Sequence, residues 1–273
     1  MVCLECNGTT MKEYKTIEVL TGNNVTTVWL NRPEIHNAFN EEMISELKYY
    51  FENSVNDSNA RLIILRGRGK SFCAGADIKW LKSVMDYDFE KNYEEGLQLS
   101  KCLYAVYNCP IPTMAIVHGA SMGGANGLLA ACDFAYSTHD TTFSLSEVKI
   151  GIIPAAISPY IIKRVGEFKA KELTITGKRF KGEEAEKINL INGSLSEIEL
   201  EEKIENITNL ILSSSPNAIK KGKELITNVV NNLTLDEAVE YTAKMIAEIR
   251  QSEEGQEGMN AFLEKRKPNW ING

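Results

Sequence analysis

The sequence predicts an α/β fold, with mixed strands and helices over residues 15–195 and an all-helical region over residues 196–273. Two short, wholly apolar runs, at residues 62–65 and 114–117, are typical of strands buried on both faces of a sheet. After the second run, a glycine-rich turn and an apolar helix lead to another strand, which is the pattern of a crossover connection. Beyond about residue 193, periodic helices follow one another without strands.

The first elements are a strand, a helix and a second strand. Residues 25–30 favour a strand that ends at Pro33, and residues 62–65 form the next strand. Between them, Asn40 caps a helix whose dipole favours the acidic side chains of Glu41 and Glu42. Apolar residues recur there at helical spacing: Met43, Ile44, Leu47, Phe51 and Val55. Residues 1–14 are predicted to be a disordered tail.

The remaining elements follow in order. A helix over about residues 93–108 ends before two prolines, and a strand at 114–117 is followed by a helix at 127–132 and a strand at 133–136. In the C-terminal region we predict helices at 197–213, from Pro216 after Ser215, and after Thr234. Thr234 and Glu237 have the spacing of a capping box.

Composition limits the classes of function. The 273 residues are 43% apolar and 25% charged, which is ordinary for a folded protein, and the net charge is −7. A nucleic-acid partner would need a basic face, so this balance argues against one, although a few local cations could still bind a small anion. No apolar run approaches the roughly 20 residues of a membrane span. The N-terminus lacks a signal-peptide pattern, so we expect a cytoplasmic protein.

Cysteine and histidine usage predicts no metal and no disulfide. The six cysteines (Cys3, Cys6, Cys73, Cys102, Cys109 and Cys132) are scattered and mostly lie in apolar stretches, as expected of reduced thiols. Cys3 and Cys6 have the spacing of a zinc knuckle or redox motif, but no second pair accompanies them. His36, His118 and His139 show no ligand spacing.

Two loops could supply backbone donors to a ligand oxygen. In residues 71–78 (SFCAGADI), the small residues at 74–76 leave backbone N–H groups uncovered. In residues 118–127 (HGASMGGANG), Gly123 and Gly124 lie at the N-terminus of a helix, where N–H groups are unpaired and the dipole is positive. Two donors from separate loops aimed at one point form an oxyanion hole. Either glycine cluster alone could instead be a plain turn.

One carboxylate lies in an apolar setting. Glu147 is surrounded in sequence by Leu145, Val148, Ile150 and Ile152, and burial there would raise its pKa into the range of a general acid or base. The alternative is a surface glutamate that pairs with Lys149.

Two other catalytic interpretations are weaker. The glycine turn has the spacing GxxxGGxxG, whereas the dinucleotide fingerprint is GxGxxG. Ser121 and Cys73 could be nucleophiles, but neither lies in a GxSxG motif and no His–Asp pair is placed by a motif.

Together these segments resemble the crotonase (enoyl-CoA hydratase/isomerase) family. The resemblance runs from residues 31–38 (NRPEIHNA) through 72–78, 119–127 and 146–154 to 257–267 (EGMNAFLEKRK), and covers the chain from about residue 15. It implies a crotonase-like ββα spiral core and a C-terminal helical domain that builds trimers, often paired into hexamers. It also implies an acyl-CoA substrate and no separate cofactor, since coenzyme A is part of that substrate.

The resemblance also assigns residues. The amides of Ala74 and Gly124 would form the oxyanion hole, Glu147 would transfer protons, and Asn37 and Ala38 would lie along the CoA arm. Further substrate contacts are expected from the two loops and from the C-terminal tail: Ala76, Asp77, Gly123, Phe262 and Lys265. From their residue types, Ile78 and Trp80 are expected in the wall of the acyl pocket.

One position departs from simple hydratases of this family, which resemble the chain but carry a second catalytic glutamate where this chain has Gly127. The chain looks most like the branch acting on methylglutaconyl-CoA and related branched, carboxylated thioesters. Glycine would remove a charge and make room near the reacting carbons.

The sequence leaves the reaction open among three possibilities. We predict a hydro-lyase that adds water across an α,β double bond. A Δ3-to-Δ2 isomerase or a decarboxylase would use the same oxyanion hole and the same acid. An assembly or RNA-binding role is disfavoured by the net charge of −7.

Overall fold

The computed structural model describes residues 13–53, 55 and 59–271. The predicted tail, with Cys3 and Cys6, lies almost entirely outside these residues. The strands are β1 (Ile17–Gly22), β2 (Val25–Leu30), β3 (Leu62–Gly67), β4 (Thr113–Val117), β5 (Ala120–Met122), β6 (Phe134–Thr138), β7 (Thr142–Ser144), β8 (Arg179–Lys181) and β9 (Gly193–Leu195). The helices are α1 (Glu41–Glu52), α2 (Ile78–Val84), α3 (Phe89–Tyr107), α4 (Gly124–Ala131), α5 (Ser158–Thr176), α6 (Gly182–Lys187), α7 (Glu197–Ser213), α8 (Pro216–Asn231), α9 (Leu235–Gln251) and α10 (Glu253–Leu263).

The strands form two sheets. The larger has the order β1-β2-β3-β4-β6-β9, and only its β1–β2 pair is antiparallel. The smaller sheet has the order β5-β7-β8, with β5 and β7 parallel. β4 ends at Val117 and β5 begins at Ala120, so the chain passes from the large sheet to the small one within a short turn. That turn brings the glycine-rich segment to the edge where the site is built.

The predicted elements are largely confirmed. β2 has the predicted bounds, and all five residues of β4 are buried, as expected of an interior parallel strand. The Asn40 side chain accepts a hydrogen bond from the Met43 N–H at 2.9 Å and so begins α1. The Thr234 capping box is present at the start of α9.

Several elements were not predicted. β5, β7, β8 and β9 are three residues each, too short for a periodic pattern. α5 has Pro159 in its first turn and Gly166 at φ +74° inside, so its sequence resembles two short segments. α4 begins three residues before the predicted start, because the glycines that suggested a turn already lie in its first turn.

The C-terminal region is helical, as predicted. α7 packs against β6 and β9, and Leu200, Ile204 and Ile211 join a core cluster behind the large sheet. α8 contains no fully buried residue and exposes Ile226 and Val230, while α9 exposes Leu235. The boundary at residues 195/196 and a role of these helices in assembly stay predictions.

Three further observations concern the described residues alone. No helix there is long and apolar enough to cross a membrane. No group of three or more His, Cys, Asp or Glu side chains in that part of the chain is placed to hold a metal ion. The four cysteines in it (Cys73, Cys102, Cys109 and Cys132) are buried and free.

Candidate active site

The segment over residues 72–77 runs between two other stretches of backbone. On one side, the Cys73 N–H donates to the Ala120 carbonyl at 3.0 Å, and the Met122 N–H donates to the Cys73 carbonyl at 3.1 Å. On the other side, the Phe39 N–H donates to the Gly75 carbonyl and the Asp77 N–H to the Phe39 carbonyl, both at 2.7 Å. The two predicted donor loops are therefore adjacent.

Ala74 does not supply a free donor. Its N–H donates to the His36 carbonyl at 2.9 Å, so this N–H is already engaged in a backbone hydrogen bond. The prediction that the Ala74 amide binds a ligand oxygen is wrong, because the loop at residue 36 lies beside it and takes the hydrogen bond.

Ala76 has a different backbone environment. It forms a parallel β-bridge with Phe39. The two hydrogen bonds of this bridge are made by the neighbours Gly75 and Asp77, so the N–H and C=O of Ala76 itself point away from Phe39. The other side holds the glycine turn: a Cβ on Gly75 would lie 3.1 Å from the Met122 carbonyl oxygen. Among the described residues the Ala76 N–H has no acceptor. Ala76 was predicted only as a substrate contact, and its amide is an available donor in this loop.

The glycine turn presents a second unpaired amide. Gly123 has φ +53° and ψ −123°, a conformation that glycine tolerates, and α4 begins at the next residue. The Gly124 N–H is in the first helical turn and has no acceptor in the part of the chain that the structure describes. A Cβ on Gly124 would lie 3.3 Å from the Phe39 ring, so a small residue is favoured there.

Glu147 lies directly beside this turn. Its Oε1 would be 3.2 Å from a Cβ on Gly123, which shows how closely the carboxylate approaches the glycine. Its Oε2 is buried and has no hydrogen-bond partner among the described residues. Burial raises the pKa of Glu147, opposed only by the residue's own N–H. No ion pair joins it to Lys149 in the described chain, so the alternative of a paired surface glutamate is wrong.

The volume beside Gly127 is already occupied by other side chains. It is buried, and a Cβ on it would lie 2.2 Å from Cγ2 of Ile157 and 3.1 Å from Cδ1 of Leu103. The prediction that glycine makes room for substrate here is wrong, because Ile157 at the start of α5 already fills that volume. Nothing in the sequence near residue 127 signals this contact, which spans 30 positions and depends on how α5 packs on α4.

Asn37 and Asp77 have structural roles. The Asn37 side chain is 0% exposed, accepts from the Arg32 N–H at 2.9 Å and donates to the carbonyls of Arg68 and Ser71 at 2.8 Å. One Asp77 oxygen pairs with the Arg32 guanidinium at 2.8 Å and the other caps α2 through the Lys79 N–H.

Charge and burial describe the same residues further. Burial opposes the negative charge of Asp77, but the hydrogen bonds from Arg32 and Lys79 outweigh it and lower the pKa. Ala38 is buried as well, and its carbonyl accepts from Arg32. The side chains of Asn37 and Asp77 and the carbonyl of Ala38 thus make hydrogen bonds that hold the loops of the site in place. Contacts of these three residues with a substrate stay predictions.

The predicted outer contacts lie at the surface. Ile78 is 82% exposed on α2, whereas Trp80 is half-buried and donates from Nε1 to Glu95 at 3.1 Å. Phe262 is 83% exposed on α10, which packs on α8 and α9. Lys265 follows α10 and is also exposed. No described contact joins Phe262 or Lys265 to Glu147, so their roles stay predictions.

Two unpaired amides lie in adjacent loops, and the half-buried Glu147, whose Oε2 has no partner among the described residues, lies next to one of them. Such an arrangement can bind a carbonyl compound and protonate or deprotonate it. The sequence model of the enoyl-CoA hydratase/isomerase family matches residues 21–273. This chain belongs to the crotonase (enoyl-CoA hydratase/isomerase) family. Its fold matches that of a solved enoyl-CoA hydratase, so the crotonase-like fold predicted from the sequence is confirmed.

Individual crotonases are similar over nearly the whole chain. A short-chain-enoyl-CoA hydratase from Clostridium acetobutylicum is 32% identical over 245 residues, which are 89% of this chain and 92% of the relative. A peroxisomal Delta(3,5)-Delta(2,4)-dienoyl-CoA isomerase from Arabidopsis thaliana is 29% identical, over 95% of this chain and 98% of the relative. The crystal structure of an enoyl-CoA hydratase from Shewanella pealeana has a TM-score of 0.90 and 34% identity, covering 94% of this chain and 97% of that one. The protein is therefore an enzyme of the enoyl-CoA hydratase/isomerase family.

Proposed function

We propose that this crotonase is a hydro-lyase that adds water to a branched, carboxylated enoyl-CoA such as methylglutaconyl-CoA, with Glu147 as its one proton-transferring group. The buried, unpartnered Oε2 of Glu147 beside the glycine turn carries the proposal. An ionisable oxygen without a partner costs folding free energy, and such groups occur where a ligand completes their bonding. The donors we assign to the thioester oxygen are the N–H groups of Ala76 and Gly124.

The reaction balances with these groups alone. The two amides polarise the thioester C=O and so lower the electron density at the β-carbon. A water oxygen bonds to the β-carbon while Glu147 takes one water proton, and the π electrons move onto the thioester oxygen as an enolate. The carboxyl group then returns its proton to the α-carbon, the C=O bond reforms, and the net change is the addition of one water.

The lack of a carboxylate at residue 127 supports a substrate with its own charge. Gly127 supplies no second carboxylate, and Ile157 and Leu103 pack around it in the buried core. A carboxylated acyl group would therefore meet one catalytic carboxylate and avoid repulsion from a second.

An isomerase is the second candidate, because moving a proton between the α and γ carbons needs only one base. A relative whose name is that of a dienoyl-CoA isomerase favours this alternative. A decarboxylase would pass through the same enolate with loss of CO2.

Product masses distinguish these reactions. Methylglutaconyl-CoA, crotonyl-CoA and a 3-enoyl-CoA would each be incubated with the enzyme, and the products measured by mass spectrometry. We expect methylglutaconyl-CoA to gain one water, faster than crotonyl-CoA does. Conversion of the 3-enoyl-CoA without a mass change would instead support the isomerase, and loss of CO2 the decarboxylase.

Activity is expected to fall at acidic pH with a midpoint above the ordinary glutamate range. Hydration begins with Glu147 as the carboxylate, and burial raises its pKa, so protonation removes the base at a higher pH than usual. We expect kcat/KM for hydration to rise with pH through this pKa and then level off. An acid limb at or below the unperturbed value of about 4.3 would contradict this assignment.

We also propose that the protein assembles into trimers, or into hexamers made of two trimers. The exposed apolar side chains of the C-terminal helices support this, including Phe262 at 83% exposure and Leu235 at 85%. Phe262 and Lys265 would then bind the adenosine end of the substrate.

A further inference from the structure

Asn126 is a fully buried polar residue in the first turn of α4, and the mechanism above does not use it. Its Oδ1 accepts from the Ser121 hydroxyl at 3.1 Å. Its Nδ2 lies within hydrogen-bond distance of three carbonyl oxygens, those of Ser121 (3.2 Å), Gly123 (3.3 Å) and Ser144 (2.9 Å). Burying an amide costs free energy unless its hydrogen bonds are made, and here they are made to the turn that carries the Gly124 donor.

The bond to Gly123 controls the direction of the neighbouring amide. The Gly123 carbonyl and the Gly124 N–H belong to one planar trans peptide unit, so they point in opposite directions. The Gly123 carbonyl oxygen accepts hydrogen bonds from the Asn126 backbone N–H at 3.0 Å and from Asn126 Nδ2 at 3.3 Å. Because Gly123 has no Cβ, sterics restrain this peptide weakly, and hydrogen bonds must fix its orientation.

The bond to Ser144 connects the same turn to the catalytic acid. The Ser144 carbonyl accepts from the Gly123 N–H at 2.9 Å and from Asn126 Nδ2 at 2.9 Å. Ser144 ends β7, and Glu147 follows three residues later in the chain. Asn126 therefore joins the backbone that presents the Gly124 N–H to the backbone that presents the Glu147 carboxylate.

We propose that Asn126 is a positioning residue that aims the Gly124 N–H at the thioester oxygen and fixes its distance from Glu147. This inference rests on the proposed function, since it assumes that Gly124 is an oxyanion donor. Asn126 then affects the polarisation of the bound carbonyl as well as the stability of the protein. A buried asparagine that only filled space would not change the electronic state of the ligand.

The test measures that polarisation directly. A saturated branched acyl-CoA with a 13C-labelled thioester carbonyl, which has no double bond to hydrate, would be bound to each full-length variant and its C=O stretch recorded by difference infrared spectroscopy. The wild-type enzyme is expected to lower this frequency relative to free ligand. Asn126→Asp keeps the size of the side chain but loses the Nδ2 donors. We expect it to lose much of the shift and to lower kcat about 10- to 100-fold with little change in KM.

Two variants serve as controls. Ser121→Ala removes one hydrogen bond of the same buried network without touching the Gly123 carbonyl, so it should lower the melting temperature but retain the infrared shift. Glu147→Gln should lose turnover and retain the shift, because both backbone donors are unchanged. If Asn126→Asp does not fold, Asn126→Ser replaces it in the same comparison.

The outcomes separate this inference from the proposed function. A folded Asn126 variant with the wild-type infrared shift and the wild-type kcat would overturn the positioning role alone. A wild-type enzyme that binds the acyl-CoA without lowering the C=O frequency would overturn the oxyanion hole, and the role of Asn126 with it.

Discussion

Replacing Glu147 by Gln is expected to lower kcat for hydration by at least 10²- to 10⁴-fold, the usual contribution of a general acid–base group. Glutamine keeps the size of the side chain but cannot take a proton from water. The backbone donors at Ala76 and Gly124 do not change, so KM should stay within a few-fold of the wild-type value. Steady-state kinetics on methylglutaconyl-CoA measures both constants.

The same variant is expected to be at least as stable as the wild type at neutral pH. Burial raises the pKa of Glu147, so the folded protein binds this proton more tightly than the unfolded chain does. Above that pKa, ionisation therefore costs folding free energy, and Gln removes the cost. Replacing an unsatisfied active-site group commonly raises stability and lowers activity.

Glu46→Gln is the matched control. Glu46 is also a buried glutamate, but its oxygens accept from the N–H groups of Lys15 and Thr16 at 2.8 and 2.9 Å. We expect this variant to lower the melting temperature and to keep kcat, which is the opposite of Glu147→Gln. Undiminished turnover in Glu147→Gln would end the assignment of Glu147 as the base.

Replacing Gly127 by Ala is expected to destabilise the protein by about 1–3 kcal/mol, the usual cost of overpacking a core. The alanine Cβ would lie 2.2 Å from Cγ2 and 2.7 Å from Cβ of Ile157. These distances are too short for the alanine and Ile157 both to remain in place. Alanine is a better helix former than glycine by about 0.5–1 kcal/mol, which opposes this cost without cancelling it. Chemical denaturation would measure the free energy of unfolding.

Gly127→Glu should be worse than the alanine, because it adds a buried carboxylate to the same clash. The protein therefore cannot acquire a second catalytic acid by this single change, unless the wall at Ile157 is also cut back.

A double-mutant cycle and a matched glycine test this explanation. Ile157→Ala alone should destabilise the protein, but together with Gly127→Ala the loss should be smaller than the sum by at least about 0.5 kcal/mol, since the clash is removed. Gly222→Ala in α8 is the control, because beyond the adjacent residues and backbone of its own helix no described atom lies within 4 Å of its added Cβ, and only helix propensity acts. Additive losses at 127 and 157 would show that Ile157 is not the obstacle.

Much of the fold could be predicted from local sequence, because the relevant signals are local. The side chains of Asn40 and Thr234 cap their helices by accepting from backbone N–H groups three positions later, and the wholly apolar run of β4 indicates a buried parallel strand. The three-residue strands of the small sheet could not be predicted. Each is defined by its partners in space, and its own residues have no period.

The sequence alone also determined which residues are chemically suited to the site. It identified a lone carboxylate in an apolar segment, a glycine turn entering a helix, and a second loop of small residues, all at family spacing. Side-chain types and glycine positions are properties of the chain itself, so these inferences needed no coordinates.

Only the tertiary structure decided which amides and which volumes are free. The Ala74 N–H is lost to His36 and the Ala76 N–H is left unpaired, because pairing depends on which backbone lies alongside. The space beside Gly127 is filled by Ile157 from another helix, and Asn126 reaches Ser144 on another strand. Such contacts join residues 18 to 38 positions apart, and no local pattern specifies them.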